Sequence, residues 1–198
     1  TVNADSGSAM FIENGAPVDL DSNVTIADME LTAANNFSGA TLMLSRNGGA
    51  NGQDVFSATG TLSSISAASG NVVVGGTTIG TYTNSGGTLV MTFNSSATNT
   101  LVNSAMQQLA YNNSSDAPPS SVQIDWNFND SNDGSQGTGG ALTATASTMV
   151  YITPANDTPT DLSLSANSVT ENASNGTVVG TITGTDPDTG DKIGRAHV

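Results

Sequence analysis

Polar and apolar residues alternate along much of this chain. Ser121-Val122-Gln123-Ile124-Asp125-Trp126-Asn127-Phe128 holds the pattern unbroken, so Val122, Ile124, Trp126 and Phe128 share one face of a strand. Leu89, Met91 and Phe93 repeat it, Gly39–Ser45 carries Leu42 and Leu44, and Asn71–Val74 ends in a valine run. Ala141–Thr153 sets Leu142, Ala144, Ala146, Thr148, Val150 and Ile152 against Thr143, Thr145, Ser147, Met149 and Tyr151. Thr, Val and Ile suit a half-buried pleated surface. Turn signals separate these runs: Asn47-Gly48-Gly49, Asn51-Gly52, Gly75-Gly76, Ser85-Gly86-Gly87, Asp133-Gly134 and Gly139-Gly140. Short strands punctuated this often predict an all-β sandwich.

One segment departs from the rule. Thr98–Tyr111 places Leu101, Val102, Ala105, Met106, Leu109 and Ala110 on one face of a helix. Ser96 or Thr98 caps its start and Asn112-Asn113 ends it, which predicts one short helix near 98–111. Its apolar stripe reads as cover for an end of the sandwich, with a partner-binding face as the alternative.

The stiff, proline-bounded segment Pro154–Thr160 marks a domain boundary. Residues 1–7 are expected to be the end of a preceding linker, 8–153 one β-sandwich domain, 154–160 a linker and 161–192 a truncated second β domain. The two strands of that last part cannot bury a core of their own. With no initiator Met and no signal-like start, the sequence reads as a piece of something longer. The closing Ile193–Val198 resembles translated sequencing-adapter read-through, an expectation under which Arg195 and His197 are not native and Lys192 is at the junction. Arg46 is then the one secure base.

Charge narrows the functions. The 198 residues include 17 acidic and 3 basic ones, for a formal net charge of -14. Nucleic-acid phosphates and anionic membrane surfaces would be repelled. The absence of cysteine removes disulfides, zinc ribbons and thiol catalysis. No apolar run approaches the roughly 18–20 residues that span a bilayer, so no direct membrane insertion is expected.

The acids carry a repeat. Glu13-Asn14 and Asp28-Met29-Glu30 are separated by thirteen residues, and so are Glu171-Asn172 and Asp186-Pro187-Asp188. Each interval holds an apolar strand: Val24 and Ile26 in one, Val178, Val179 and Ile182 in the other. Asn3-Ala4-Asp5 precedes the first copy much as Ala155-Asn156-Asp157 precedes the second, with looser spacing. Carboxylates gathered at a domain junction need a cation to neutralise them, and oxygen-only ligands select a hard ion such as calcium. Glu13, Asp28, Glu30, Asp157, Glu171, Asp186 and Asp188 are the candidate ligands, with Asp5 weaker. Asp-x-Asp is also ordinary turn chemistry, which is the competing explanation. Asp130-Ser131-Asn132-Asp133-Gly134 opens like an EF-hand loop, but it is one residue short and Ala141 stands where the closing Glu belongs. A hairpin loop with a tight Asp-Gly turn fits better, and a separate cation site on Asp130 and Asp133 stays open.

Ser168–Gly190 resembles the opening of a cadherin repeat through Glu171-Asn172, Gly176-Thr177-Val178-Val179 and Asp186-Pro187-Asp188-Thr189-Gly190. The resemblance implies calcium contacts for Glu171, Asp186 and Asp188. Asn156 and Asp157 match the family's linker in part, and Pro154 stands where it has an Asp. Phe11–Val18, Ala50–Phe56, Leu109–Asn113 and Trp126–Asp130 resemble the longer cadherin-like repeats of large bacterial surface proteins. That resemblance implies a cation-stiffened stalk or adhesin module, extracellular and associated with a cell surface. Its partners would be neighbouring repeats of the same chain, second copies, or host-surface glycans. The alternative is a non-catalytic carbohydrate-binding or accessory module of a secreted enzyme, with Tyr82 and Tyr151 as the exposed platforms. Catalysis is not expected: Asp125 and Asp130 are a carboxylate pair, but no nucleophile motif such as G-x-S-x-G accompanies them.

Overall fold

The alternating runs become strands. In the computed structural model, which describes residues 1–4, 8–134 and 139–188, the chain divides into two units, Thr1–Thr153 and Pro154–Val198. The strands of the first unit are β1 (Val2–Asn3), β2 (Ala9–Ile12), β3 (Val18–Asp19), β4 (Thr25–Ile26), β5 (Thr41–Arg46) and β6 (Asp54–Ala58). They continue with β7 (Ser69–Val74), β8 (Thr77–Ser85), β9 (Thr88–Phe93), β10 (Leu109–Asn113), β11 (Ser121–Asn129) and β12 (Thr143–Thr153). Its helices are α1 (Met29–Ala34) and α2 (Asn99–Gln107). The second unit holds β13 (Asp161–Leu164) and β14 (Ile182–Thr185).

Seven strands make one sheet in the order β2-β12-β11-β5-β9-β8-β7, and β3-β10-β6 make a second. The pairs are antiparallel except β2 with β12, which is parallel. Val122, Ile124, Trp126 and Phe128 all turn to the inner face, as the alternation demands. Trp126 is fully buried, and its indole N–H donates to Thr148 Oγ1 at 3.0 Å, so its polar tip is satisfied inside. Both sheets feed one core. Tyr111 of β10 packs edge-on against Phe11 of β2 and Phe56 of β6, each with ring centres 6.2 Å apart. The unit is all-β and sandwich-like. The β8–β9 hairpin turns on Gly86 and Gly87, both at positive φ; a side chain at Gly87 would collide with the Asn51 carbonyl.

Two local expectations change. The helix near 98–111 is shorter: α2 starts from a Thr98 cap and ends at Gln107, and Leu109–Asn113 is strand β10. The helical stripe and a strand compete over the apolar residues 109–111. The strand prevails because β10 is the middle strand of its sheet, paired on both sides by β3 and β6. What remains of the stripe, Val102, Ala105 and Met106, is buried in the core rather than offered to a partner. The second change is α1, a short helix with only Leu31 buried, which no apolar stripe announces.

In the second unit, β13 pairs with β14, and the Ser163 and Thr183 hydroxyls bond across the pair at 2.6 Å. Leu162, Leu164, Val169, Val178, Val179 and Ile182 are all exposed. Two strands present an apolar set here without enclosing it.

Candidate functional site

The two acidic copies share local geometry, each within its own unit. Asn14 and Asn172, the residues after the two glutamates, both adopt left-handed backbone, with φ of 59° and 65°. Asn tolerates that region because its short polar side chain bonds locally. Each turn thereby reverses the chain just after the glutamate. At the other end of the copies, Asp28 Oδ1 accepts the Glu30 N–H at 3.1 Å and Asp186 Oδ1 accepts the Asp188 N–H at 3.0 Å. The strands in between also correspond. Glu13 and Glu171 lie 158 positions apart, and the same step carries β4 onto residues 183–184 of β14. β4 pairs antiparallel with β1, and β14 pairs antiparallel with β13.

Within the stretch 1–7, Val2 and Asn3 form β1 and pair with β4. In chain order Asp157 precedes β13, whereas Asp5 follows β1. Asp5 itself lies outside the described residues, as do 189–198 with Lys192, Arg195 and His197.

The individual carboxylates differ in what they already do. Glu13 is 3 % exposed, at the end of β2, and its backbone N–H donates to the Thr153 carbonyl at 3.0 Å. Asp28 caps α1: Oδ1 takes the Glu30 and Leu31 N–H groups, while the Asp28 N–H donates to Thr32 Oγ1 at 3.0 Å. This is the turn-and-cap chemistry that competes with metal binding for the same residue. Glu30 is exposed in the first turn of α1, where its charge favours the helix dipole. Asp28→Ala should cost about 1 kcal/mol of stability, read from denaturant unfolding of the full chain. In the second unit the Asp157 N–H donates to Asp188 Oδ2 at 2.7 Å, which ties the linker aspartate to the Asp-Pro-Asp turn. Glu171 is exposed. Among the described residues of the first unit, no three carboxylates converge closely enough to share an ion; the same holds within the second.

Asp130 closes the β11–β12 hairpin. Its Oδ1 accepts the N–H groups of Asn132 at 3.1 Å and Leu142 at 2.8 Å, so one carboxylate pins both ends of the loop. β11 ends at Asn129 and β12 begins at Thr143, so a two-residue turn does not join them directly; residues 135–138 of the connection lie outside the described residues. Asp133 is exposed on it. Asp28 and Asp130 line one cleft of about 410 Å³ together with Val2, Ile26, Phe128 and Leu142.

The least anticipated site is internal. Arg46 donates to Asp54 through both Nε (2.8 Å) and a terminal nitrogen (2.5 Å). The Tyr111 hydroxyl donates to the same carboxylate at 2.6 Å, and Asn113 Nδ2 at 3.0 Å. Asp54 is buried, so four donors converge on a group water does not reach. The hydrogen bond to Asp54 is the main reason the Arg46 guanidinium holds its proton more tightly than usual. Burial, followed by the bond to Asp54, pushes the Tyr111 hydroxyl up to about 12. Asp54, Tyr111 and Asn113 thereby join two segments distant in sequence, Ala50–Phe56 and Leu109–Asn113. Alternation at Arg46 was the available signal: it follows Leu42 and Leu44 on the inner face of β5, where a charge needs a partner.

Of the two tyrosines expected as exposed platforms, Tyr82 is 5 % exposed and packed in the core, because on β8 it shares the inward face with Gly80 while Thr81 and Thr83 face out. Tyr151 stays 48 % exposed on the outer face of β12. Among the described residues, no helix is long and apolar enough to cross a membrane. No protein-family model, no curated protein and no solved structure matches this chain.

Proposed function

We propose that this chain is a calcium-binding structural repeat of a large extracellular bacterial protein, cadherin-like in kind, which serves in a cell-surface stalk or adhesin. The observation that carries the reading is the duplicated acidic pattern with its matched backbone: a left-handed Asn after each Glu, an Asp-to-backbone bond at each Asp-x-[Asp/Glu], and between them a strand paired antiparallel with one that precedes the Glu. Unrelated turns have no reason to agree in sequence spacing, dihedral angle and strand pairing at once. The candidate ligands are Glu13, Asp28 and Glu30 in the first unit and Asp157, Glu171, Asp186 and Asp188 in the second; calcium would draw together carboxylates that stand apart without it, in a chain with net charge -14. Its role is mechanical: bound ions stiffen a chain of repeats, whose partners are the neighbouring repeats and the surface to which the protein adheres.

Thermal melting of the full chain tests this. Extracellular calcium modules bind with dissociation constants of about 10⁻⁴–10⁻³ M. A ligand at 100 times its dissociation constant stabilises by about 2.7 kcal/mol. Calcium at tens of millimolar should therefore raise the melting temperature by several degrees, a chelator should reverse the rise, and magnesium should reproduce little of it. An unchanged melting temperature in calcium sinks the proposal.

A further inference from the structure

The outer face of the seven-stranded sheet carries a second, unrelated arrangement, and we infer that it is a binding face for a neutral oligosaccharide. It rests on Tyr151, Gln123, Asp125 and Asn47, none of which belongs to the calcium reading.

Asp125 points outward from β11, and each of its oxygens holds a side-chain amide. Gln123 Nε2 donates to Oδ1 at 2.7 Å and Asn47 Nδ2 donates to Oδ2 at 2.7 Å. The Asn47 backbone N–H also donates to the Gln123 carbonyl at 2.9 Å, which fixes the two residues beside each other. Each amide spends one N–H on the carboxylate. Its second N–H and its carbonyl oxygen remain for another partner, held in a set orientation. A sugar hydroxyl both donates and accepts, so a fixed amide edge matches it in both senses.

Tyr151 supplies the apolar half. It stands opposite Ser121 on β11, and Gln123 stands opposite Met149, so the ring and the Gln123 amide are diagonal neighbours across the β11–β12 pair. Diagonal positions in an antiparallel pair lie about 7–8 Å apart, within reach of an aromatic side chain. On its other side the ring neighbours Met10, which is 62 % exposed. The face therefore sets an exposed ring with an apolar shoulder beside a row of oriented amides. A pyranose offers the same two surfaces: a C–H face that stacks on a ring and an equatorial rim of hydroxyls.

Charge selects among saccharides. The Asp125 carboxylate lies at the centre of the amides, and the chain as a whole is strongly anionic. Uronic-acid and sulfated glycans are repelled, which leaves neutral ones.

The test titrates the full chain with a panel of neutral hexasaccharides (glucose in β-1,4 and α-1,4 linkage, xylose and mannose in β-1,4 linkage) and with polygalacturonate. Binding is read by calorimetry in calcium and again in chelator. At least one neutral oligosaccharide should bind, with calcium or without it. Tyr151→Ala and Asp125→Ala should each weaken that binding about tenfold or more, equivalent to 1.4 kcal/mol. Tyr151→Phe should keep it within about threefold, because the ring face is retained. Thr83→Ala, on the same face but on β8, should leave it unchanged, and an unaltered Trp126 fluorescence spectrum shows that each variant is folded. Failure of every neutral probe at millimolar concentration, binding of polygalacturonate alone, or binding indifferent to Tyr151→Ala overturns the inference.

Discussion

Replacing Asp54 with alanine should lower the unfolding free energy of the first unit by about 3–5 kcal/mol, the cost of breaking a buried ion pair from one side. The charge of Arg46 would then be left beside a core with no anion, since its side chain is only one-fifth exposed and its Nε and a terminal nitrogen both donate to Asp54. Tyr111 and Asn113 would each lose the acceptor that satisfies them inside the protein. Unsatisfied buried donors cost about 1–3 kcal/mol each when they cannot rearrange. The chain has one tryptophan, Trp126, and it is buried in the first unit. Its fluorescence through a denaturant titration thus reports that unit alone. A loss below about 1 kcal/mol would mean that the network is decoration, because even an ordinary hydrogen bond is worth that much.

Alkaline pH should unfold the first unit earlier than its composition suggests, and Tyr111 is the cause. Its hydroxyl titrates near 10.0 when free and at about 12 in the folded protein. Between those values the unfolded chain has lost the proton that the folded chain keeps. The unfolded state therefore binds fewer protons, and stability falls as pH rises. The contribution is fully present below pH 10, declines from there, and is gone above about 12. Two pH units of separation correspond to roughly 2–3 kcal/mol. Denaturant titrations from pH 9 to 12 should show that decline, and Tyr111→Phe should flatten it while costing stability at neutral pH. A slope that survives Tyr111→Phe would assign the effect elsewhere.

Strand content was legible because alternation is a direct consequence of the pleat. β11 and β12 fall where Ser121–Phe128 and Ala141–Thr153 alternate, and the two-residue Gly86-Gly87 turn separates β8 from β9. What the pattern could not decide was the run Leu109-Ala110-Tyr111. All three are buried, and burial on every side erases periodicity; only the flanking strands, distant in sequence, make it β10. α1 was hidden for a different reason. Asp28-Met29-Glu30 has the spacing of a ligand motif, yet an Asp that accepts the next N–H groups is also how a helix begins. The acidic repeat was visible as spacing, while the agreement of Asn14 with Asn172 required dihedral angles. The Arg46–Asp54–Tyr111–Asn113 network needed β5, β6 and β10 to be placed in space first.

A stalk stiffened by cations requires that the duplicated carboxylates hold calcium. Equilibrium dialysis of the full chain against radiolabelled calcium measures this without reference to stability, with Glu13→Gln and Asp28→Asn together in one variant and Glu171→Gln, Asp186→Asn and Asp188→Asn in another. The unaltered chain should bind calcium at millimolar concentration or below, each variant should lose part of that binding, and the two combined should lose nearly all of it. A chain that binds no calcium, or whose binding survives both sets of substitutions, would contradict the proposal that these acids form cation sites.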